Sequence, residues 1–137
     1  MTSTPLKSFG PQSDLKCNKD IRTLVDTFYT KVQADSLLAP VFNDSAKIDW
    51  QHHLPIMYRF WETLLFHSGG YEGNPFSKHV VLPIGAEHFQ RWLSLFLGTV
   101  DQLFVGTKAD EAKTRARMIA DVFQRRMGLA PTSTTLL

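Results

Sequence analysis

His79 is the side chain of this sequence best placed to do chemistry. It sits in the stretch from Tyr71 through Gly73, Asn74-Pro75 and Lys78 to Leu82-Pro83. Long apolar stripes flank that stretch, Trp50 to Phe66 before it and Glu87 to Phe104 after it. An imidazole on a short, proline-bounded piece between two such segments can point into the core and still lie near an entrance. Imidazole is the commonest metal ligand among side chains, and one of them suffices to hold the iron of a haem. A lone histidine is ordinarily a satisfied structural residue, so the weight falls on the company His79 keeps.

Tyr29, His53 and Trp92 are that company, three polar side chains on otherwise apolar stripes. Each can donate a hydrogen bond and needs a partner if buried. Taken singly, Tyr29 reads as a core tyrosine with its hydroxyl at the surface. His53, next to His52, reads as one of a pair of which either can face water, and Trp92 reads as core packing. Converging on one cavity opposite a coordinating His79, they would have another use. A ferrous haem that takes up dioxygen places negative charge on that ligand, and preorganised donors stabilise the charge. Ten Phe, three Tyr and three Trp are compatible with both views. They fill a small core with large side chains, or they wall a cavity for a flat ligand.

The elements that must position these residues are helical almost throughout. Asn18 or Asp20 can cap a first helix with Ile21, Leu24, Val25, Phe28, Tyr29 and Val32 on one stripe. Leu37 to Phe42 is an apolar connector. Asp49 can cap a second helix whose stripe is Trp50, His53/Leu54, Met57, Phe60/Trp61 and Leu64/Leu65. Pro55 inside it should kink the first turns, and Gly69-Gly70 ends it. Asn74-Pro75 starts a short helix that runs to near Val81, and Pro83 breaks it. Phe89, Trp92/Leu93, Phe96, Val100 and Leu103/Phe104 mark the next helix. Thr107 with Asp110 resembles a capping box that opens the last one. No period-two alternation lasts long enough for a strand, so the fold class is all-α.

At 137 residues the chain fits one domain with room for one buried ligand. Residues 1–17 read as a loose arm, 18–127 as the single domain and 128–137 as a flexible tail. A net charge of +2 without a dense basic stripe argues against nucleic acid as a partner. The single cysteine, Cys17, excludes an internal disulfide and a CxxC zinc site, and suits a reducing compartment. Neither a secretory signal nor a membrane-spanning stretch is present, so the cytoplasm is the expected location. His52-His53 lacks the spacing of a zinc-protease helix, and no GxSxG, Walker loop or GxGxxG occurs. Glu87-His88 reads as an exposed charged pair, and His67 as a helix-end residue that caps carbonyls.

Together these residues resemble the third group of the truncated haemoglobin family. The match is carried by Phe28-Tyr29, Pro40-Val41-Phe42, Asp49-Trp50-Gln51-His52-His53 and Phe60-Trp61. It continues through Tyr71-Glu72-Gly73-Asn74-Pro75 with His79, Leu82-Pro83 and His88-Phe89-Gln90-Arg91-Trp92-Leu93. Ile119-Ala120 with Phe123 extends it into the last helix, over roughly residues 18 to 127. The resemblance implies a shortened globin, two helices over two around haem b. It makes His79 the proximal iron ligand and places Tyr29, His53 and Trp92 on the distal side. It makes Phe42, His53, Phe60 and Trp92 contacts of the cofactor. Lys78 and Arg91 are weaker candidates for its propionates.

The function so implied is reversible binding of dioxygen and other diatomic gases by a monomer, at ferrous iron five-coordinate through His79. A second class is catalytic, nitric-oxide dioxygenation or peroxide turnover on the same haem. Turnover needs electrons, and without a flavin or nicotinamide domain here they would come from a separate reductase. A third class is a haem-free helical interaction module.

Overall fold

The 3.6-residue stripes become four long helices in the computed structural model, which describes residues 13–67 and 84–129. Helix α1 is Asn18–Ala34, α2 is Trp50–Phe66, α3 is Ala86–Leu103 and α4 is Thr107–Arg126. Among the described residues there is no strand. Helix α1 packs on α2 and α3, α3 packs on α4, and α2 touches α4, which is a two-over-two arrangement. The short helix expected from Asn74 to Val81 lies outside the described residues.

Helix α1 buries the six residues of its stripe, Ile21, Leu24, Val25, Phe28, Tyr29 and Val32. Its N-cap is Cys17 rather than Asn18 or Asp20; Asp20 instead reaches back to accept the Lys16 N–H at 2.8 Å. At the other end Asp35 accepts the N–H groups of Leu37 and Leu38 at 3.1 and 2.9 Å and pairs with Arg91 of α3. Burial raises the Asp35 pKa, but those amides and the guanidinium outweigh it and hold the carboxyl below its ordinary value. Arg91, weighed from sequence as a propionate partner, pairs with Asp35 through one guanidinium nitrogen.

The apolar connector finds its burial, with Leu38 and Val41 both in the core. It then makes one wide helical turn, Val41–Ser45, in which the Ala46 N–H reaches the Val41 carbonyl at 2.7 Å. Such i→i+5 turns are rare and frequent at functional sites. Asp49 is the N-cap of α2 by its backbone alone, accepting the N–H of His52 and His53 at 3.0 and 2.8 Å. The helix runs through Pro55. The amide Pro55 lacks would have reached the carbonyl of Gln51, an exposed residue, where water can replace it. At the end, His67 closes α2 with a left-handed backbone (φ 57°), its own N–H donating to the Thr63 carbonyl at 3.0 Å. The helix thus ends before the glycine pair, through the His67 main chain and not its imidazole.

Aromatic rings hold the layers together. Phe28 of α1 meets Tyr29, Trp92 and Phe96 edge-on at 4.7, 5.7 and 5.2 Å between centroids. Trp61 of α2 stacks on Phe96 of α3 at 4.7 Å, and Trp92 stacks on the same ring at 5.8 Å. Pairs of this kind contribute about 0.5–1.5 kcal/mol each beyond the area they bury.

The start of α4 departs most from the sequence reading. Thr107 is the first helical residue and no Thr107–Asp110 box forms; the N-cap is Gly106, which has no side chain to give. Asp14 supplies the cap from outside, accepting the Lys108 N–H at 2.8 Å and the Ala109 N–H at 2.7 Å. Gly106 has φ 143°, and a Cβ there would stand 2.5 Å from the Asp14 carboxyl carbon, so glycine is required twice over. Ser13 accepts the Val105 N–H at 2.9 Å and Leu15 is 2 % exposed. Residues 13–17 are therefore tied down and are not part of a loose arm. Burial raises the Asp14 pKa, but amide hydrogen bonds from Lys108, Ala109 and Leu15 and the Lys108 charge prevail, and the net shift is downward.

A carboxylate with a lowered folded pKa stabilises above its unfolded pKa, and that stabilisation fades as pH falls through the folded value. Asp14→Ala should lose about 1 kcal/mol at neutral pH, a fall of about 3–5 °C in melting temperature. The gap between variant and wild type should narrow below about pH 4, near the ordinary aspartate pKa. A thermal melt of both proteins at pH 7 and pH 3 checks this. An equal gap at both pH values would mean the carboxylate charge plays no part. At the far end Gly128 (φ 75°) and Leu129 return hydrogen bonds to Arg125 and Gln124 at 3.1 and 2.8 Å, so α4 ends in a Schellman-type turn.

Candidate functional site

Both layers leave a cavity of about 360 Å³ between them, within the roughly 300–1,000 Å³ typical of a small-molecule or cofactor site. Tyr29 of α1, Phe42 of the connector, His53, Met57 and Phe60 of α2, and Trp92 of α3 all face it. Ile84 and Phe89 extend the wall at the start of α3, and Ile119, Ala120 and Phe123 of α4 close the back. Ile56, Met57 and Phe60 are only half-buried although they lie on the inward side of α2. Apolar stripes normally close on one another. Here they stand apart, and the space between them is hydrocarbon-walled.

The three polar residues picked from sequence meet at one end of this space. Tyr29, 5 % exposed, lies edge-on to His53 at 5.7 Å between ring centroids. Burial pushes the Tyr29 hydroxyl far above its ordinary pKa, and a hydrogen bond from the Trp92 side chain pulls partly against that. The indole has only an N–H to give, so Trp92 is the donor and the Tyr29 oxygen the acceptor. The Tyr29 proton is left to be donated elsewhere.

Phe42 and Trp50 back this cluster. Their rings stack at 5.8 Å and both contact Tyr29, at 6.1 and 5.4 Å. The Trp50 indole donates to the Asn43 amide oxygen at 3.2 Å, which ties the wide turn to the start of α2 and fixes Phe42 against the cavity. Phe60 also faces the cavity and meets Trp61 edge-on at 5.4 Å. At the mouth lie Lys47, with a left-handed backbone (φ 52°), Asp49 and exposed His52. A non-glycine residue in that conformation is uncommon and tends to occur where function constrains the chain.

Sequence reading missed His88. It is half-buried rather than part of an exposed pair, it faces the cavity, and its Nδ1 accepts the Gly85 N–H at 2.9 Å. Gly85 is the N-cap of α3 and His88 its third helical residue, the position Glu or Gln takes in a capping box. A Gly-x-x-His spacing before an apolar stripe was the available signal. His79, with Lys78, lies outside the described residues. Among the described residues no cluster of three His, Cys, Asp or Glu side chains could hold a metal ion.

Comparison with known proteins converges on one relationship. The family model described as "Bacterial-like globin" matches residues 15–126. The group 3 truncated hemoglobin ctb of Campylobacter jejuni subsp. jejuni serotype O:2 is 33% identical over 113 residues, 80% of this chain and 89% of that protein. The crystal structure of a group III truncated hemoglobin from Campylobacter jejuni superposes with a TM-score of 0.77 at 32% identity. That superposition covers 85% of this chain and 94% of the other.

Proposed function

The chain belongs to the bacterial-like globin family, as a truncated haemoglobin whose cofactor is haem b, and from that premise we propose that it binds dioxygen and other diatomic gases reversibly at iron held by His79. The observation that carries the proposal is the convergence of Tyr29, His53 and Trp92 on one cavity walled by aromatic and aliphatic side chains. The residues fit a flat apolar group. Phe42, Ile56, Met57, Phe60, Ile84 and Phe123 line the space and stay half-buried instead of closing it. Bound ferrous haem supplies the open coordination position at which a diatomic gas is taken up.

What the chain itself contributes follows from its donors. Tyr29 offers its hydroxyl proton, with burial keeping that proton in place. Trp92 orients and polarises the hydroxyl through its indole N–H. His53, edge-on to both Tyr29 and Trp50, closes the polar end of the cavity or gates its entrance. His79 would hold iron through one ring nitrogen, and donation from its other nitrogen to a backbone carbonyl would fix the tautomer. Other histidines suit this task less. His52 and His67 are exposed, and the Nδ1 of His88 is occupied by its helix cap. Ile84 of the cavity wall is five residues from His79 in the chain, a span of at most about 18 Å.

The same reading makes the chain a cytoplasmic monomer. Among the described residues no helix is long and apolar enough to cross a membrane, and the exposed large hydrophobics are Val105 and Met118. Titrating hemin into apoprotein should give a Soret band that saturates near one equivalent. The holoprotein should also melt higher, because a ligand bound to the native state stabilises it. Absence of a saturating Soret band would end this reading.

A further inference from the structure

His88 is not needed to bind a gas, yet it is held with care. Its Nδ1 accepts the Gly85 N–H at 2.9 Å. A neutral imidazole that accepts at one nitrogen carries its proton on the other, so Nε2 is a donor. His88 faces the cavity, and the only polar hydrogen it can present there is that one. The neighbouring wall, Ile84, Phe89, Ile119 and Phe123, offers hydrocarbon side chains and no acceptor. A donor fixed in direction against an apolar wall is suited to an acceptor carried by the occupant. Charge-assisted bonds are roughly twice as strong as neutral ones, which favours an anionic oxygen. Arg91, two residues beyond Phe89, is paired with Asp35.

We propose that His88 Nε2–H is the chain's donor to a carboxylate of the cavity's occupant, which on the haem reading above is a propionate of haem b. The capping bond to Gly85 makes the donor permanent, because turning the ring over would uncap α3. The same bond keeps His88 from acting as an iron ligand, since Nδ1 is engaged and Nε2 is protonated.

Metal-free protoporphyrin IX and its dimethyl ester isolate the carboxylate contact from iron ligation. Fluorescence titration of the full chain should show the free acid bound about 10-fold tighter than the ester. His88→Glu keeps an acceptor for the Gly85 N–H, as a capping box does, but removes the donor. Its preference for the free acid should collapse to about 1 or reverse. His88→Gln, which can accept from Gly85 and still donate, should keep most of it. Should His88→Glu fail to give a cooperative melt, His88→Leu provides the same comparison with the same expected loss. Hemin is titrated in parallel. If wild type binds hemin and the acid-to-ester ratio is unchanged in His88→Glu, the proposal is wrong and the haem reading stands. If wild type takes up no hemin, both fall together.

Discussion

His79→Gly is expected to abolish the five-coordinate ferrous spectrum, and added imidazole should restore it. On the proposed function the effect is all or none, because a single ring nitrogen would make the bond and glycine would leave a space that free imidazole can fill. His52→Gly, His67→Gly and His88→Gly should each keep the wild-type ferrous bands, for reasons visible in the fold. His67 closes α2 with its backbone at φ 57°, a conformation glycine adopts more readily, so that variant loses nothing essential. His52 is exposed at the mouth of the cavity, one residue from His53 on α2. His88 has its Nδ1 on Gly85 and a proton on Nε2. His53 shares the polar end with Tyr29, and His53→Gly should change ligand release without removing the proximal bond. Spectra of the five variants with and without imidazole decide the matter. Wild-type bands surviving in His79→Gly without imidazole would assign the iron to another residue.

Local periodicity accounts for most of the helical framework and for little of what locks it. The stripes of α1 and α2 are readable because i, i+3, i+4 spacing reports burial directly, and six of the α1 residues so chosen are buried. The cap of α4 was not readable. Asp14 lies 94 residues from the N–H it accepts, and no local pattern ties an aspartate in a terminal segment to Gly106. Arg91 and Asp35, 56 residues apart, illustrate the same limit, since pairing across the layers decides which charges remain available. For the cavity the position is reversed. Nothing in the spacing of Tyr29, His53 and Trp92 requires them to meet, and the joint pattern of the truncated haemoglobins was what put them in one place. Even that pattern does not order the donors. Packing brings Trp92 and Tyr29 to the same cavity, and on the proposed function the indole N–H serves the Tyr29 oxygen. His88 escaped because a histidine beside a glutamate near a helix start resembles an ordinary solvated pair until Gly85 is recognised as the cap.

That ordering of donors sets the expectation for gas release. Dioxygen as a ligand draws negative charge onto itself, and a hydrogen bond to a charged acceptor is worth about 1.5–3 kcal/mol against about 1 for a neutral one. Tyr29→Phe should therefore speed dioxygen release about 10- to 100-fold, since about 1.4 kcal/mol is a factor of ten. Carbon monoxide draws much less charge, and its release should hardly change, whereas a steric effect would move both gases together. On that reading Trp92 acts on the ligand through Tyr29. Removing its N–H withdraws polarisation and orientation, a cooperative contribution of about 10–30% of one bond, so Trp92→Phe should speed dioxygen release no more than about fivefold. The double variant should then match Tyr29→Phe, because the path from Trp92 to the ligand is already cut. Burial holds the Tyr29 proton well above the ordinary tyrosine pKa of about 10, so the wild-type rate should stay flat from about pH 7 to about pH 10. Stopped-flow release of both gases from the four proteins tests each step. Effects of Tyr29→Phe and Trp92→Phe that multiply in the double variant would make the two residues independent donors, and equal shifts for both gases would remove hydrogen bonding from the account.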